Sequence, residues 1–417
     1  MRFFSSSPIK ELGKRPFSPT TPLVGEFRQR ILMRGPISIA EYMNVCLTHP
    51  LHGYYPTRDA LGKSGDFVTS PEISQTFGEM IGIWFVDTWH KLNKPKRIQL
   101  AEVGGGKGTL MHDLLRACQS FPDLYEALDS VVMIDTSEKM RDRQREKLSP
   151  VLGKKLRFLN QFQDLKTQDS SIPLVVIAQE FFDALPVHQF KHTNRGWCER
   201  MVDISTTVQS AEEDVTEALE MEDVSGVRHH FRFVLSPAPT PASQLLLSSK
   251  MNLTVGKRSE IEVGSVAGSA AQEMANLIRQ RSGAGLIIDY GTYDASSDSL
   301  RGIKDHKFCH PLSEPGLVDL SVDVDFNYLA KAIKRTEQLG DGRHALALAG
   351  PITQEAFLKN MGIEYRVANL IRSRVFEEEK KKVYQDFQRL TKDMGTCYKV
   401  MAIYTHTDEE SAGFTKI

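Results

Sequence analysis

Residues 100–109 read Leu-Ala-Glu-Val-Gly-Gly-Gly-Lys-Gly-Thr, a glycine-rich bend directly behind an acid, Glu102. Glycine lets a backbone turn tightly and leaves room for a ligand against the main chain. Three such bends can be compared. A phosphate-gripping Walker loop needs Gly-Lys followed by Ser or Thr; here Lys107 precedes Gly108, and Ala101 stands where the loop's first glycine belongs. The dinucleotide pattern begun at Gly104 needs Gly or Ala at its last position, and that position is Thr109. The pattern that fits is acid-x-Gly-x-Gly-x-Gly, made by Glu102, Gly104, Gly106 and Gly108, with Gly105 inside it. A helix start that grips phosphate aims N–H groups at an anion. A carboxylate beside the bend suits a ligand that carries positive charge.

Asp135 is the second element. It closes the next apolar run, where folds of this kind place a carboxylate on ribose hydroxyls; the alternative is a helix cap ahead of Ser137. An adenine is expected after the third strand, near Asn160 and Phe162. The acid-and-glycine pattern is the S-adenosylmethionine loop of Rossmann-like methyltransferases. That ligand has no phosphate, and it bears a sulfonium and an amino group.

These residues need a scaffold, and its rhythm is legible. Pro36 to Leu47 reads as a helix with capping-box spacing at Ser38 and Glu41. A second helix is expected from Ser70, with Pro71 in its first turn. From Arg97 strands and helices alternate. Strands are expected at Ile98 to Val103, Val131 to Ile134, Leu156 to Leu159, Leu174 to Ala178 and Gly285 to Asp289. Helices are expected at Leu110 to Cys118, Ser137 to Leu148 and Val266 to Arg281. Continuous apolar runs such as Leu174 to Ala178 imply burial on both faces, hence a parallel sheet. Between Val187 and Leu235 the alternation breaks into short runs that read as an antiparallel meander, with the acidic stretch Glu212 to Asp223 as a solvated loop. Asp325 to Arg335, Thr353 to Met361 and one long charged segment, Arg372 to Gln388, read as helices. Tyr398 to Tyr404 is the last strand. The fold class is α/β: a Rossmann-like class I methyltransferase sheet with an N-terminal helical region and an inserted antiparallel β subdomain. The expected boundaries are a leader at 1–23, a helical region at 24–96, a core at 97–185 and 257–417, and the insertion at 186–256.

Composition excludes several other classes. The chain has 417 residues, 41% hydrophobic and 25% charged, which is ordinary for globular proteins. Lys+Arg 52 against Asp+Glu 53 gives a net charge of -1, without the basic excess of a nucleic-acid binder. No apolar run approaches the roughly 20 residues of a membrane helix. Five cysteines with no CxxC pair argue against a disulfide framework or a zinc site. His49 and His52, or His306 and His310, have metal-like spacing, but no Cys or acid completes a site, so no metal is expected. Residues 1–23 are basic and rich in Ser, Thr and Pro, as in mitochondrial transit peptides; a plain tail is the alternative.

Longer strings carry a resemblance. They are Ser64-Gly65-Asp66-Phe67-Val68-Thr69-Ser70-Pro71-Glu72-Ile73-Ser74 with Phe77-Gly78-Glu79, then Glu102 to Gly108, then Glu180-Phe181-Phe182-Asp183-Ala184-Leu185-Pro186-Val187, then Gly285-Leu286-Ile287-Ile288-Asp289-Tyr290-Gly291. Together they resemble the MidA family of mitochondrial and bacterial methyltransferase-fold proteins, over about Pro36 to Ile403. Two departures stand out. Gln179 replaces a frequent Asn and keeps an amide. Asp323 replaces a frequent His and loses an imidazole, so no catalytic role is assigned there. The resemblance implies S-adenosyl-L-methionine as cofactor and a mitochondrial matrix location. It implies a protein substrate: an arginine on a core peripheral-arm subunit of NADH dehydrogenase (complex I), dimethylated symmetrically in the course of complex I assembly.

An arginine acceptor sets a chemical demand. Its guanidinium has a pKa of about 12.5 or above and stays charged. Carboxylates binding it in bidentate fashion would fix its plane, and open α/β sheets hold ligands at the carboxyl ends of their strands. Glu180 and Asp183 after strand four are the expected clamp, with Asp289 after strand five as a third catalytic acid. Gly65, Asp66, Phe67 and Thr69 are expected to fold over the cofactor as a lid, Phe67 screening the methyl from water. Gln179 joins Glu102, Gly104, Gly105, Gly106, Gly108, Asp135, Asn160 and Phe162 as expected cofactor contacts. The insertion is the expected place for substrate recognition or homodimer contacts. Two other readings remain: a non-catalytic assembly factor that retains the fold, and a dinucleotide oxidoreductase, disfavoured by Thr109 and Glu102.

Overall fold

The computed structural model describes residues 17–57, 68–167, 169–205, 227–248, 258–293, 297–339, 344–405 and 411–414. The lid residues Gly65, Asp66 and Phe67, most of the 1–23 leader and the acidic stretch 212–223 lie outside them. The chain divides into two compact units, one of residues 1–58, 186–263 and 297–321, the other of 59–185, 264–296 and 322–417.

The second unit carries the glycine bend. Its sheet is built from β1 (Ile98–Val103), β2 (Leu128–Ile134), β3 (Leu156–Leu159), β4 (Leu174–Gln179), β5 (Ala284–Thr292), β6 (Val324–Asp325), β7 (Ala347–Thr353) and β8 (Tyr398–Tyr404). The strands run in the order β7-β8-β5-β4-β1-β2-β3, and β6 pairs with the end of β5. β1 to β5 are parallel. β8 runs antiparallel to β5, and β7 antiparallel to β8. The strand order reverses between β1 and β4, and such a switch point opens a crevice at the carboxyl ends.

Side chains alternate across each strand, and both faces are covered. Leu100, Val131, Met133, Val175, Ile177, Leu286 and Ile288 pack under helices Gln75–Lys91, Thr109–Cys118 and Ile363–Ser373. Ala101, Val103, Val132, Ile134, Val176, Ala178 and Ile287 pack under Ser265–Arg281 and Phe326–Arg335. Helix Gln75–Lys91 lies very close to Thr109–Cys118: a Cβ on Gly78 would stand 2.7 Å from Asp113 Cβ, and one on Gly82 2.8 Å from Ala117 Cβ. That close approach seats the helix that the glycine bend opens.

The other unit is mainly antiparallel. Gly196–Ile204 pairs with Ile37–Ser38, His188–Thr193 and Phe231–Leu235, and His188–Thr193 also pairs with Glu260–Val263. Arg301–Lys304, Lys307–Cys309 and Asp319–Ser321 form a second small sheet. Helix Ile39–Thr48 starts as expected, with Ser38 Oγ accepting the Glu41 N–H at 3.1 Å. The unit division differs from the sequence-based one. Helices Pro22–Arg34 and Ile39–Thr48 group with the meander, as does 297–321. Gln75–Lys91 belongs to the sheet-bearing unit, because its apolar side meets Thr109–Cys118. The charged helix expected at Arg372 to Gln388 starts later, at Glu377–Gln388, because helix Ile363–Ser373 ends just ahead of it and Arg374 takes an extended backbone between them. Among the described residues no helix is long and apolar enough to cross a membrane.

Candidate cofactor and acceptor site

The bend after β1 requires glycine. Gly104, Gly106 and Gly108 have φ of 66, 50 and 75°, a left-handed region that side chains disfavour. Gly108 starts helix Thr109–Cys118 in that conformation. A Cβ on Gly105 would stand 2.4 Å from Met133 Cε and 2.9 Å from Glu102 Cδ. Glu102 lies under the bend, 2% exposed. Burial, reinforced by the nearby Asp135 carboxylate, pushes its carboxyl up to about 8.

Asp135 follows β2. Its Oδ1 accepts the Ser137 N–H at 2.8 Å and its Oδ2 accepts Gln144 Nε2 at 3.1 Å. Gln144 Nε2 also donates to the Gly106 carbonyl at 2.8 Å, so one buried amide ties the glycine bend to the end of β2. Burial raises the Asp135 carboxyl. Arg141 donates to the Asp135 carbonyl at 2.7 Å and to Asn160 Oδ1 at 2.5 Å, which joins the ends of β2 and β3. Phe162 begins a short 3-10 turn and packs on the apolar cluster under Ser265–Arg281 and Phe326–Arg335. Gln144 and Arg141 carry no role in the sequence reading. The available signal was an uncharged amide on the inward face of a charged helix.

The acids cluster after β4 and β5. Glu180 has φ 49°, unusual for a long side chain; such strain gathers where a site over-determines the backbone. Its Oε1 accepts Gln179 Nε2 at 2.7 Å and the Ser70 N–H at 3.4 Å. Thr69 precedes the short helix that begins with Ser70, and its carbonyl accepts the Glu72 N–H at 2.9 Å. Burial, then the Asp183 carboxylate, push Glu180 up to about 7, while Gln179, Ser70 and the Tyr398 hydroxyl hold it down. Asp183 accepts a hydrogen bond from the Tyr290 hydroxyl. Asp289 is fully buried and spent on the backbone. Its Oδ2 accepts the N–H groups of Phe181, Phe182 and Asp183 at 3.2, 2.9 and 3.3 Å, and its Oδ1 that of Tyr290 at 2.9 Å. Burial, then Asp183 and Glu180, raise it well above the usual range, against those N–H groups. Expected as a third catalytic acid, Asp289 is placed to shape the turn that presents the other two.

Glu102, the glycines, Asp135, Gln179, Glu180, Asp183 and Asp289 therefore converge on the carboxyl ends of β2, β1, β4 and β5. Glu102 Oε2 and Gln179 Oε1 are among the buried oxygens there that have no hydrogen-bond partner among the described residues. They stand at the ends of neighbouring strands, and buried acceptors of this kind call for a donor. An ammonium-bearing, cationic nucleoside fits the set; a pyrophosphate does not. Tyr398, at the start of β8, is a member that sequence reading missed, since the pairing of the last strand with β5 is a long-range fact.

Fold and crevice together define a class I methyltransferase. Residues 80–341 match the Methyltransf_28 model of S-adenosyl-L-methionine-dependent methyltransferases, and the chain belongs to that family. Its cofactor is S-adenosyl-L-methionine. It is similar to the mitochondrial protein arginine methyltransferase NDUFAF7 of Homo sapiens, 35% identical over 408 residues, covering 93% of this chain and 85% of that one. The Drosophila melanogaster homolog is 32% identical over 407 residues, covering 92% and 84%. In fold it is similar to a COG1565 superfamily protein from Burkholderia thailandensis solved with S-adenosyl-homocysteine, at TM-score 0.72 and 24% identity, covering 96% of this chain and 98% of that one. The resemblance carried by the four sequence strings thus holds.

Proposed function

We propose that this methyltransferase acts on protein arginine in the mitochondrial matrix, as a type II enzyme that dimethylates symmetrically an arginine on a core peripheral-arm subunit of complex I during its assembly. The observation that carries an arginine acceptor is Glu180. A carboxylate held in a left-handed backbone, beside Asp183, on a turn built by Asp289, supplies two acids for one guanidinium. The names of the curated relatives support the arginine acceptor and the mitochondrial location; the complex I subunit and the symmetric product rest on the family resemblance.

The cofactor supplies an electrophilic methyl on a sulfonium. The chain's part is alignment, which can contribute roughly 7–11 kcal/mol at best. Glu102 and Gln179 would offer acceptors to the amino-acid end, Asp135 to the ribose, and Asn160 and Phe162 would flank the adenine. Glu180 and Asp183 grip the guanidinium in its plane and leave one nitrogen turned to the methyl. Methylation of that nitrogen would release one proton, which a carboxylate oxygen of Glu180 would take. The lid assigned to Gly65, Asp66, Phe67 and Thr69 would exclude water.

The test is labelled-methyl transfer to complex I peripheral-arm subunits, with mass spectrometry of the product. Expected is a gain of two methyl groups on one arginine, split symmetrically, that Glu180→Gln reduces to a low residual rate while S-adenosyl-homocysteine still binds. Cofactor binding without transfer to any arginine would favour the non-catalytic assembly factor instead.

A further inference from the structure

Two tyrosines face the acids from the sheet. Tyr290 on β5 and Tyr398 on β8 are direct partners across an antiparallel pair, with ring centroids 5.5 Å apart at an interplanar angle of 73°. Each phenol serves a different acid: Tyr290 donates to Asp183, and Tyr398 hydrogen-bonds Glu180. Both hydroxyls lie deep among the carboxylates, which, after burial, hold both phenols protonated. A protonated phenol facing a carboxylate can only donate.

The arrangement is economical in degrees of freedom. Glu180 and Asp183 lie on one turn, three residues apart, and a flexible acid would lose rotamer freedom on gripping a substrate. Here the turn's backbone is fixed from below by Asp289, and each side chain is fixed from the side by one phenol. The two rings meet edge to face.

We propose that Tyr290 and Tyr398 are positioning residues for methyl transfer: a cross-strand phenol pair that presets the Glu180 and Asp183 carboxylates in the geometry one guanidinium requires. This rests on the arginine reading for its kinetic consequence but not for its structural one. The groups facing Glu180 are Asp183 on its own turn, Asp289 on β5, Tyr398 on β8, Gln179 before it and the Ser70 N–H from the short helix. Lys399, next on β8, turns away and donates to the Thr396 and Cys397 carbonyls.

Tyr398→Phe and Tyr290→Phe remove one oxygen each and keep the rings. The first measurement is a carbon-13 NMR titration of the side-chain carboxyls. Tyr398→Phe removes a bond that favours ionised Glu180, so the Glu180 midpoint moves upward by at least half a pH unit; an unmoved midpoint overturns the proposal whatever the substrate. The second is methylation of an arginine peptide, with calorimetry of S-adenosyl-homocysteine beside it. Expected is a fall in kcat/KM of about tenfold or more in either variant, a Tyr398→Phe acid limb displaced upward, and cofactor affinity within about twofold of wild type. Wild-type rates and pH profiles in both variants would overturn the positioning role. A wild-type chain that methylates no arginine would instead overturn the arginine acceptor, and the titration would still decide the phenol pair.

Discussion

The ring of Phe181 covers Gly104: a Cβ on that glycine would stand 3.3 Å from Phe181 Cδ2. The turn that carries the two acids is thus packed on the bend that carries the cofactor, so donor and acceptor are held by one piece of structure. Gly104→Ala should disturb both. Its φ of 66° costs an L-residue on the order of 1–2 kcal/mol, and the added methyl presses on Phe181. S-adenosyl-homocysteine affinity should fall about tenfold, and methyl transfer should fall further than binding because the acid turn moves too. Calorimetry beside a turnover assay reads the difference; wild-type affinity would show that the bend tolerates a side chain.

Asp289→Asn tests whether the third acid builds the turn. The carboxylate accepts four backbone N–H groups, and an amide replaces one acceptor oxygen with a donor that must face N–H groups. The unmatched contacts should cost on the order of 1–3 kcal/mol, read as a lowered thermal midpoint together with loss of methyl transfer. Full stability and full activity would remove its role as the scaffold of Glu180 and Asp183.

Local pattern made much of this legible. The five parallel strands and the glycine bend appear where apolar runs and turn residues place them, because a strand buried on both faces must be continuously apolar. Glu102 and Asp135 were readable because their place at strand ends is a local property. Asp289 was readable as a site acid but not as a backbone acceptor, since its partners at 181–183 come from another strand. Tyr398 was unreadable as a site member for the same reason: only the antiparallel pairing of β8 with β5 brings it to Glu180. The grouping of Ile37–Ser38 with the meander likewise depends on a pairing with Met201 and Val202 that no local signal announces.

Glu102→Gln keeps the shape of the side chain and removes its ability to ionise against a bound cation, which the free chain holds back by raising the carboxyl to about 8. Oε2 of Glu102 is buried without a partner among the described residues, so an ammonium of the bound cofactor is its natural complement. A hydrogen bond to a charged group contributes about 1.5–3 kcal/mol, so S-adenosyl-L-methionine affinity should drop by roughly ten- to a hundredfold. The glycine bend should keep its form, since Gly105 still meets a side chain of equal size. Undiminished affinity in calorimetry would take Glu102 out of the cofactor site.

Activity and stability should depend on pH in opposite senses. Glu180 rises from 4.5 to about 7 on folding, and Glu102 from 4.5 to about 8. A raised folded-state value means that the native chain holds the proton more tightly than the unfolded chain. The stability linked to these two groups is therefore fully present below about pH 4.5 and is lost as pH climbs through about 7 and about 8. Gripping a guanidinium needs the ionised form of Glu180, so kcat/KM should climb through an apparent midpoint near 7 in the free enzyme. Glu180→Gln should remove that limb, leaving a low rate with no inflection near 7, and should lessen the loss of stability on the alkaline side. Chemical denaturation from pH 5 to 9, with turnover across the same range, separates the two trends. A wild-type kcat/KM that stays level between pH 6 and 8 would mean that the Glu180 carboxylate does not hold the acceptor.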